Sequence, residues 1–148
     1  MKHRELTYRE IAYFCQEIAL LMHAGVGSGD SLALLAEEEK DPVWNKMFAE
    51  MAKQADEGKS LSEIVKEAEC FPVYMVGFLA VGERAGRLEE ALHSLTAYYE
   101  ERDRMNRRVR SALLYPSILL LLMLVVMVVL LTQVLPVFRS VYASLEGN

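Results

Sequence analysis

Glu90 and His93 come closest to a known catalytic pattern in this chain. The Glu-x-x-His spacing places a carboxylate and an imidazole on one side of a helix, as in di-iron helical bundles. Such a site needs a second copy of the motif and two more glutamates. His3 and His23 have no glutamate three residues before them, so a second copy could come only from a dimer. We therefore favour a solvated helix face for Glu90 and His93.

Other patterns that could support chemistry are sparse. The loop at residues 25–29 lacks the GxxxxGK[ST] pattern of phosphate binding and follows no predicted strand, so it indicates a turn between helices. The acidic run at residues 37–39, with Asp41, could bind a cation or a basic partner, although such runs are usually solvated. Cys15 and Cys70 match no zinc spacing and are expected to be small buried side chains. We predict no enzyme, no cofactor and no metal site.

A long apolar segment predicts a single membrane span. Residues 111–138 contain no charge, and residues 118–131 are unbroken Leu, Ile, Val and Met. A helix needs about 20 apolar residues to cross a hydrocarbon core of about 30 Å. Arginines crowd the side before the segment, at Arg102, Arg104, Arg107, Arg108 and Arg110, whereas only Arg139 follows it. We therefore expect the N-terminal part to be cytoplasmic and the C-terminus to be extracytoplasmic.

Charge also bears on the partners of the chain. The net charge of −5 argues against nucleic acid, which requires a clustered basic surface. The arginines before the span can attract the anionic heads of membrane lipids.

The N-terminal part predicts one helix after another. Thr7 with Glu10 and Ser60 with Glu63 match the capping box, in which two residues satisfy each other's backbone N–H groups. We expect Asp30 or Ser28 to cap the second helix and Asp41 to cap the third. Helix-ending glycines are expected at Gly25, Gly58 and Gly86. The inward face of the sixth helix is expected to hold Ala91, Leu92, Leu95, Tyr99 and Arg102.

No stretch of this part alternates with period two, so no sheet is expected. We predict an all-α fold: an antiparallel bundle of about six helices whose last helix leads into one transmembrane helix, bent or restarted at Pro116. The predicted domains are a cytoplasmic bundle at residues 1–110, a transmembrane helix at 111–138 and a short extracytoplasmic tail at 139–148.

One constellation is more specific than these patterns. Along the chain come Phe71-Pro72, then Gly82-Glu83-Arg84-Ala85-Gly86-Arg87-Leu88, then Tyr115-Pro116, then Leu135-Pro136-Val137-Phe138. They resemble the F-type domain of platform proteins in type II secretion and type IV pilus machines, which show FP, GE-x-(S/A)-G-x-L, AL-x-YP and VVP-x-F. Ala24-Gly25-Val26 and Gly58-x-Ser60-Leu61-Ser62 also match the family. The resemblance covers about residues 10–145.

The motif residues have physical roles of their own. Gly82 lies within an apolar helix, where a missing side chain lets a neighbouring helix approach closely. Gly86 ends that helix and Leu88 packs in the next turn. The Glu83 carboxylate is expected to accept the free N–H groups at the start of the sixth helix. We favour this structural role for Glu83 over binding of an ion or a partner.

The resemblance implies a non-enzymatic platform protein of the bacterial inner membrane. In that family the cytoplasmic domain docks the assembly ATPase and other inner-membrane assembly components, and the membrane part guides pilin-like subunits into the fibre. The resemblance also implies a homodimer or a larger homo-oligomer. It leaves open whether the machine serves secretion, a twitching pilus or a competence pilus.

Two questions stay open at this point: how many domains the protein has, and whether it has a different function. Family members usually carry two such domains and three spans, whereas this sequence shows one of each, which indicates a fragment or a single-repeat relative. The alternative function is a membrane-tethered helical adaptor or signalling domain that dimerises. The motif constellation is what favours the platform.

Overall fold

The computed structural model describes residues 5–147, and these residues form six α-helices and no strand. The helices are α1 (Tyr8–His23), α2 (Ser28–Glu38), α3 (Pro42–Asp56), α4 (Leu61–Glu67), α5 (Val73–Arg84) and α6 (Leu88–Glu146). The chain divides after Arg104 into two compact units. The first contains α1 to α5 and the beginning of α6, and the second contains the rest of α6. The predicted all-α fold with six helices is confirmed.

Polar caps begin three of the helices, as the sequence predicts. The Thr7 amide donates to Glu10 Oε2 at 2.8 Å, and the Glu10 amide donates to the Thr7 hydroxyl at 3.3 Å. Ser60 and Glu63 form the same reciprocal box at α4. The Asp41 carboxylate accepts the second amide of α3 at 2.9 Å, and a proline occupies the first helical position. These bonds satisfy amides that have no partner within their own helix.

The expected cap of α2 is wrong. Gly27 occupies the N-cap position and offers no side chain, whereas Ser28 is already the first helical residue. Only residues 24–27 connect α1 to α2, so α2 begins too early for either expected residue to cap it. Asp30 instead lies in the first turn of α2, where its charge suits the helix dipole. Gly25, at φ +91°, adopts the left-handed backbone that ends α1.

The core of the bundle is contiguous and is formed by one face of each helix. Fully buried large side chains are Ile11 and Ile18 on α1, Leu32 on α2, Ile64 on α4, Met75 and Leu79 on α5, and Leu92 and Leu95 on α6. Cys15 and Cys70 are buried free thiols, as predicted. Burial of each of these large Ile, Leu and Met side chains contributes about 1.5–3 kcal/mol to the free energy of folding.

One residue of the predicted α6 face is placed differently. Ala91, Leu92, Leu95 and Tyr99 are buried as expected, but Arg102 is exposed. The core cluster includes no α6 residue beyond Tyr99. The Arg102 guanidinium instead donates from Nη2 to the Tyr98 hydroxyl at 2.7 Å and lies 5.1 Å from the centre of the Tyr98 ring.

The second unit is one continuous helical segment. Helix α6 passes through Pro116 and Pro136 without a break, so the helix does not restart at Pro116. The Ser117 hydroxyl donates to the Leu113 carbonyl at 2.7 Å, and the Thr132 hydroxyl donates to the Val128 carbonyl at 2.9 Å. The apolar part of α6 is long enough to cross a membrane and is not buried within the protein. The helix continues past the predicted span to Glu146.

Helices α5 and α6 approach closely at Gly82. A Cβ atom at this position would lie 2.6 Å from the Ala91 Cβ and 3.3 Å from the Arg87 carbonyl oxygen. Real Cβ atoms essentially never lie so close to another atom, so only glycine fits without a shift of the helices. The predicted close approach at Gly82 is therefore confirmed. Gly77, five residues earlier on the same helix, has no atom within 4 Å of the equivalent position.

This pair of glycines gives a matched test of packing. We expect Gly82→Ala to lower the free energy of unfolding by about 1–3 kcal/mol, because the added methyl overpacks the contact with Ala91. Gly77→Ala should raise it by about 0.5–1 kcal/mol, because alanine loses less backbone entropy in a helix and meets no neighbour. Denaturant unfolding of the full chain in detergent, followed by Trp44 fluorescence, measures both. Ala91→Gly should restore part of the loss in Gly82→Ala. The same sign for both glycine substitutions would contradict this account.

Candidate functional site

The motif residues converge where α5 ends and α4 begins. Glu83 lies in the last turn of α5, and its carboxylate reaches across to the first turn of α4. Its Oε1 accepts the Ser62 amide at 2.7 Å, and its Oε2 accepts the Ser62 hydroxyl at 2.6 Å. Ser62 is buried and Glu83 is half-buried. Both the two hydrogen bonds and the helix dipole make the contact between this carboxylate and the start of α4 stabilising.

The expected partner of Glu83 is therefore wrong in one respect. The carboxylate does accept a free amide at a helix start, but the helix is α4 and not α6. The turn between α5 and α6 is closed by backbone bonds, from the Arg87 amide to the Gly82 carbonyl at 2.8 Å and from the Gly86 amide to the Glu83 carbonyl at 3.2 Å. Gly86, at φ +68°, allows this turn, and α6 begins directly after it. Because these backbone bonds close the turn without the Glu83 side chain, its carboxylate can bind the start of α4.

Helix α4 depends on these contacts because it is short. It has seven residues, well below the length at which an isolated helix is stable in water. The Ser60 hydroxyl accepts the Glu63 amide at 3.4 Å, and Glu83 accepts the amide of Ser62. Two motifs that lie 21 residues apart, Gly58-x-Ser60-Leu61-Ser62 and Gly82-Glu83, thus form one structural unit.

The remaining motif residues of the bundle lie in the core or at the starts of helices. Phe71 is buried, and its ring centre lies 4.9 Å from that of Phe14 on α1. Pro72 precedes the first residue of α5 in an extended conformation and so ends the preceding segment, as expected. Leu88 begins α6 and packs against the core.

The motif residues of the second unit have a different environment. Tyr115 and Phe138 are exposed, and Pro116 and Pro136 lie within the continuous α6 helix. These four residues lie near the two ends of the uncharged segment.

His23 and His93 form contacts that the sequence does not predict, and His3 lies outside the residues that the structure describes. Glu90 pairs with Arg87, at 3.4 Å from Oε2 to Nε, and not with His93. His93 Nε2 lies 3.7 Å from Glu89 Oε1, and His23 Nδ1 lies 2.8 Å from the same oxygen. The His23 contact connects the last residue of α1 to the first turn of α6. The described residues contain no cluster of His, Cys, Asp or Glu that could hold a metal ion.

The other candidate residues have local roles. The predicted turn at residues 25–29 is confirmed only in part, because residues 25–27 lie between the helices whereas Ser28 and Gly29 already belong to α2. Glu39 Oε1 accepts the Asp41 amide at 3.0 Å, which orders the acidic segment before α3. Burial raises the pKa of Cys15 to about 12 and also raises the pKa of Cys70, so both thiols stay protonated at neutral pH.

Comparisons with known proteins identify the family of this chain. The family model "type II secretion system (T2SS), protein F" matches residues 14–136. The type IV pilus assembly protein PilC of Myxococcus xanthus is 30% identical over 95% of this chain and 34% of its own length. The protein transport protein HofC homolog of Escherichia coli is 31% identical over 88% of this chain and 33% of its own length.

A secretion protein gives a similar match. The type II secretion system protein F of Vibrio cholerae is 25% identical over 90% of this chain and 33% of its own length. The chain thus spans about a third of the length of the curated relatives it matches. The matched region includes the Glu83–Ser62 contact, the close approach at Gly82 and most of the apolar segment. This chain therefore belongs to the family of type II secretion system protein F.

Proposed function

We propose that this chain is a platform component of a type II secretion or type IV pilus assembly machine in the bacterial inner membrane. Its bundle docks the assembly ATPase and other inner-membrane components, and its membrane part supports the assembly of pilin-like subunits. The observation that carries the proposal is the match to proteins of both machines over about nine-tenths of the chain. The role is mechanical and requires no bond to be made or broken by the chain.

The architecture supports a role that couples the two sides of a membrane. The bundle unit is rich in acidic residues and has its own core, whereas the second unit contains a long apolar helical stretch that has arginines at its start. A single uncharged span provides no path through the membrane by itself, so we propose that two or more copies act together. This self-association is part of the proposed function.

We further propose that the bundle is cytoplasmic and that the C-terminal end is extracytoplasmic. Basic residues close to a span are retained in the cytoplasm, and the arginines between residues 102 and 110 lie on the bundle side. Only Arg139 lies close to the other end.

A docking experiment tests the central proposal. The full chain, tagged and extracted from membranes, should co-purify with the assembly ATPase of the same organism. A tagged segment of residues 105–148 is the control, because it keeps the apolar helix but lacks the bundle. We expect the ATPase only with the full chain. Its absence from a folded full-length sample would contradict ATPase docking.

Reporter fusions test the orientation. Alkaline phosphatase fused after Asn148 should be active, and green fluorescent protein exported unfolded to the same place should be dark. The arginine cluster predicts this pattern because positive charge resists translocation. The reverse pattern would place the bundle outside the cytoplasm.

The role of Glu83 can be measured separately. If the residue only caps α4, Glu83→Ala should lower the free energy of unfolding by about 0.5–2 kcal/mol, and Ser62→Ala should lower it by less because the backbone bond remains. The double substitution should cost less than the sum, because both changes break one contact. Unchanged stability together with lost assembly in Glu83→Ala would show a partner-binding role instead.

A further inference from the structure

Helix α5 presents a contiguous apolar face to solvent. Val73 is 88% exposed, Tyr74 is 52%, Phe78 is 36% and Val81 is 67%. Val73 and Val81 are separated by two helical turns, and Gly77 lies between them, with no atom within 4 Å of the position of a Cβ. Tyr74 and Phe78 flank this line, and their ring centres lie 6.0 Å apart. Side chains four residues apart lie on one side of a helix, so these residues form one surface.

The fold of a single copy leaves this face uncovered. The opposite side of α5 buries Met75, Leu79 and Gly82 in the core. A helix that is apolar on both sides is expected to be covered on both sides. The Tyr74 ring lies 4.9 Å from that of Tyr98, which extends the surface onto α6. Contiguous exposed apolar surface of this kind marks an interaction site.

We propose that the exposed face of α5 binds the same face of a second copy of this chain, with the two helices antiparallel and crossing at Gly77. This inference rests on the proposed self-association of the platform and assigns it to a surface. In a two-fold contact the same patch is used by both copies. An antiparallel crossing centred on residue 77 places Val73 of each copy opposite Val81 of the other. The missing side chain at Gly77 lets the two backbones approach closely.

Charge favours a second copy as the occupant. Arg84 is the exposed charge at the C-terminal end of α5, and Glu69 is exposed just before its N-terminal end. The antiparallel crossing brings each Arg84 near the Glu69 of the other copy, so opposite charges meet at both ends. The carboxylate of Glu83 is already bound to Ser62. The centre of the face is uncharged, so two copies of this acidic chain can meet there without like-charge repulsion.

The size of the face predicts a weak contact in solution. Helix α5 has 12 residues and is therefore about 18 Å long. A contact confined to this length falls at or below the roughly 1,200 Å² at which specific interfaces become stable. Confinement of both copies to one membrane raises their effective concentration and favours the dimer. The contact should therefore be measured with the full chain in membranes.

Oxidative cross-linking tests the geometry. Gly77→Cys places a thiol at the crossing point, where the Cα atoms of two copies can come within the roughly 7 Å that a disulfide allows. The natural cysteines are buried and should not compete. Val43→Cys is the matched control, because Val43 is 73% exposed but lies on α3. We expect cross-linked dimer for Gly77→Cys only. No dimer at this position, or equal dimer at both, would overturn the proposal.

A second measurement separates the surface from self-association itself. Energy transfer between differently labelled copies in lipid vesicles reports the dimer. Val81→Glu should weaken it at least about tenfold, because it places an unpaired charge against Val73 of the other copy, and Val43→Glu should leave it unchanged. Arg84→Glu should also weaken it, and adding Glu69→Arg should restore it. Dimers that persist in Val81→Glu would show that the copies associate elsewhere and would leave the platform function standing. A monomeric natural chain would contradict self-association.

Discussion

The α5–α6 hairpin is built around a position that has no room for a side chain. At Gly82 the two helices are so close that a methyl group would lie 2.6 Å from the Ala91 Cβ. The next residue on α5 is Glu83. Its carboxylate accepts hydrogen bonds from Ser62 on α4. The tight turn that follows sets the start of α6, and with it the faces that α6 turns inward. Two adjacent residues, Gly82 and Glu83, therefore connect α5 to both α6 and α4.

The bundle relies on such contacts because its helices are short. Isolated helices of fewer than about 12–15 residues are marginal in water, and α2 and α4 have 11 and seven residues. Burial of one apolar face supplies most of the stabilisation, and caps satisfy the amides that would otherwise lack partners. The Ser60 box and Glu83 both act on the first turn of α4. The loss of either is expected to loosen the segment that leads into α5, because Phe71 and Pro72 connect the two helices.

Local signals explain which parts of this structure could be predicted from the sequence. Capping boxes, helix-ending glycines and the spacing of apolar residues act within a few residues, so the six helices and most core positions follow from them. The partner of Glu83 lies 21 residues away and the partner of His23 lies 66 residues away, and such pairs depend on how helices pack. Spacing also placed Arg102 inward, but it cannot show that no α6 residue beyond Tyr99 joins the core. The sequence did not predict that Gly27 is the N-cap of α2. The glycines and serine at residues 25–29 suggest a longer turn than the one that forms.

The chain exposes two apolar surfaces, the apolar part of α6 and the outer face of α5, and they suit different environments. The apolar part of α6 is uniform around the helix, and a helix that is apolar on all sides suits lipid, which has no preferred direction. The outer face of α5 is confined to one side, contains aromatic rings, and has an exposed arginine and an exposed glutamate near its opposite ends. Such a pattern is directional and suits a protein surface with a complementary pattern. The two surfaces can act together, because a membrane that holds the span also concentrates the bundles that α5 would join.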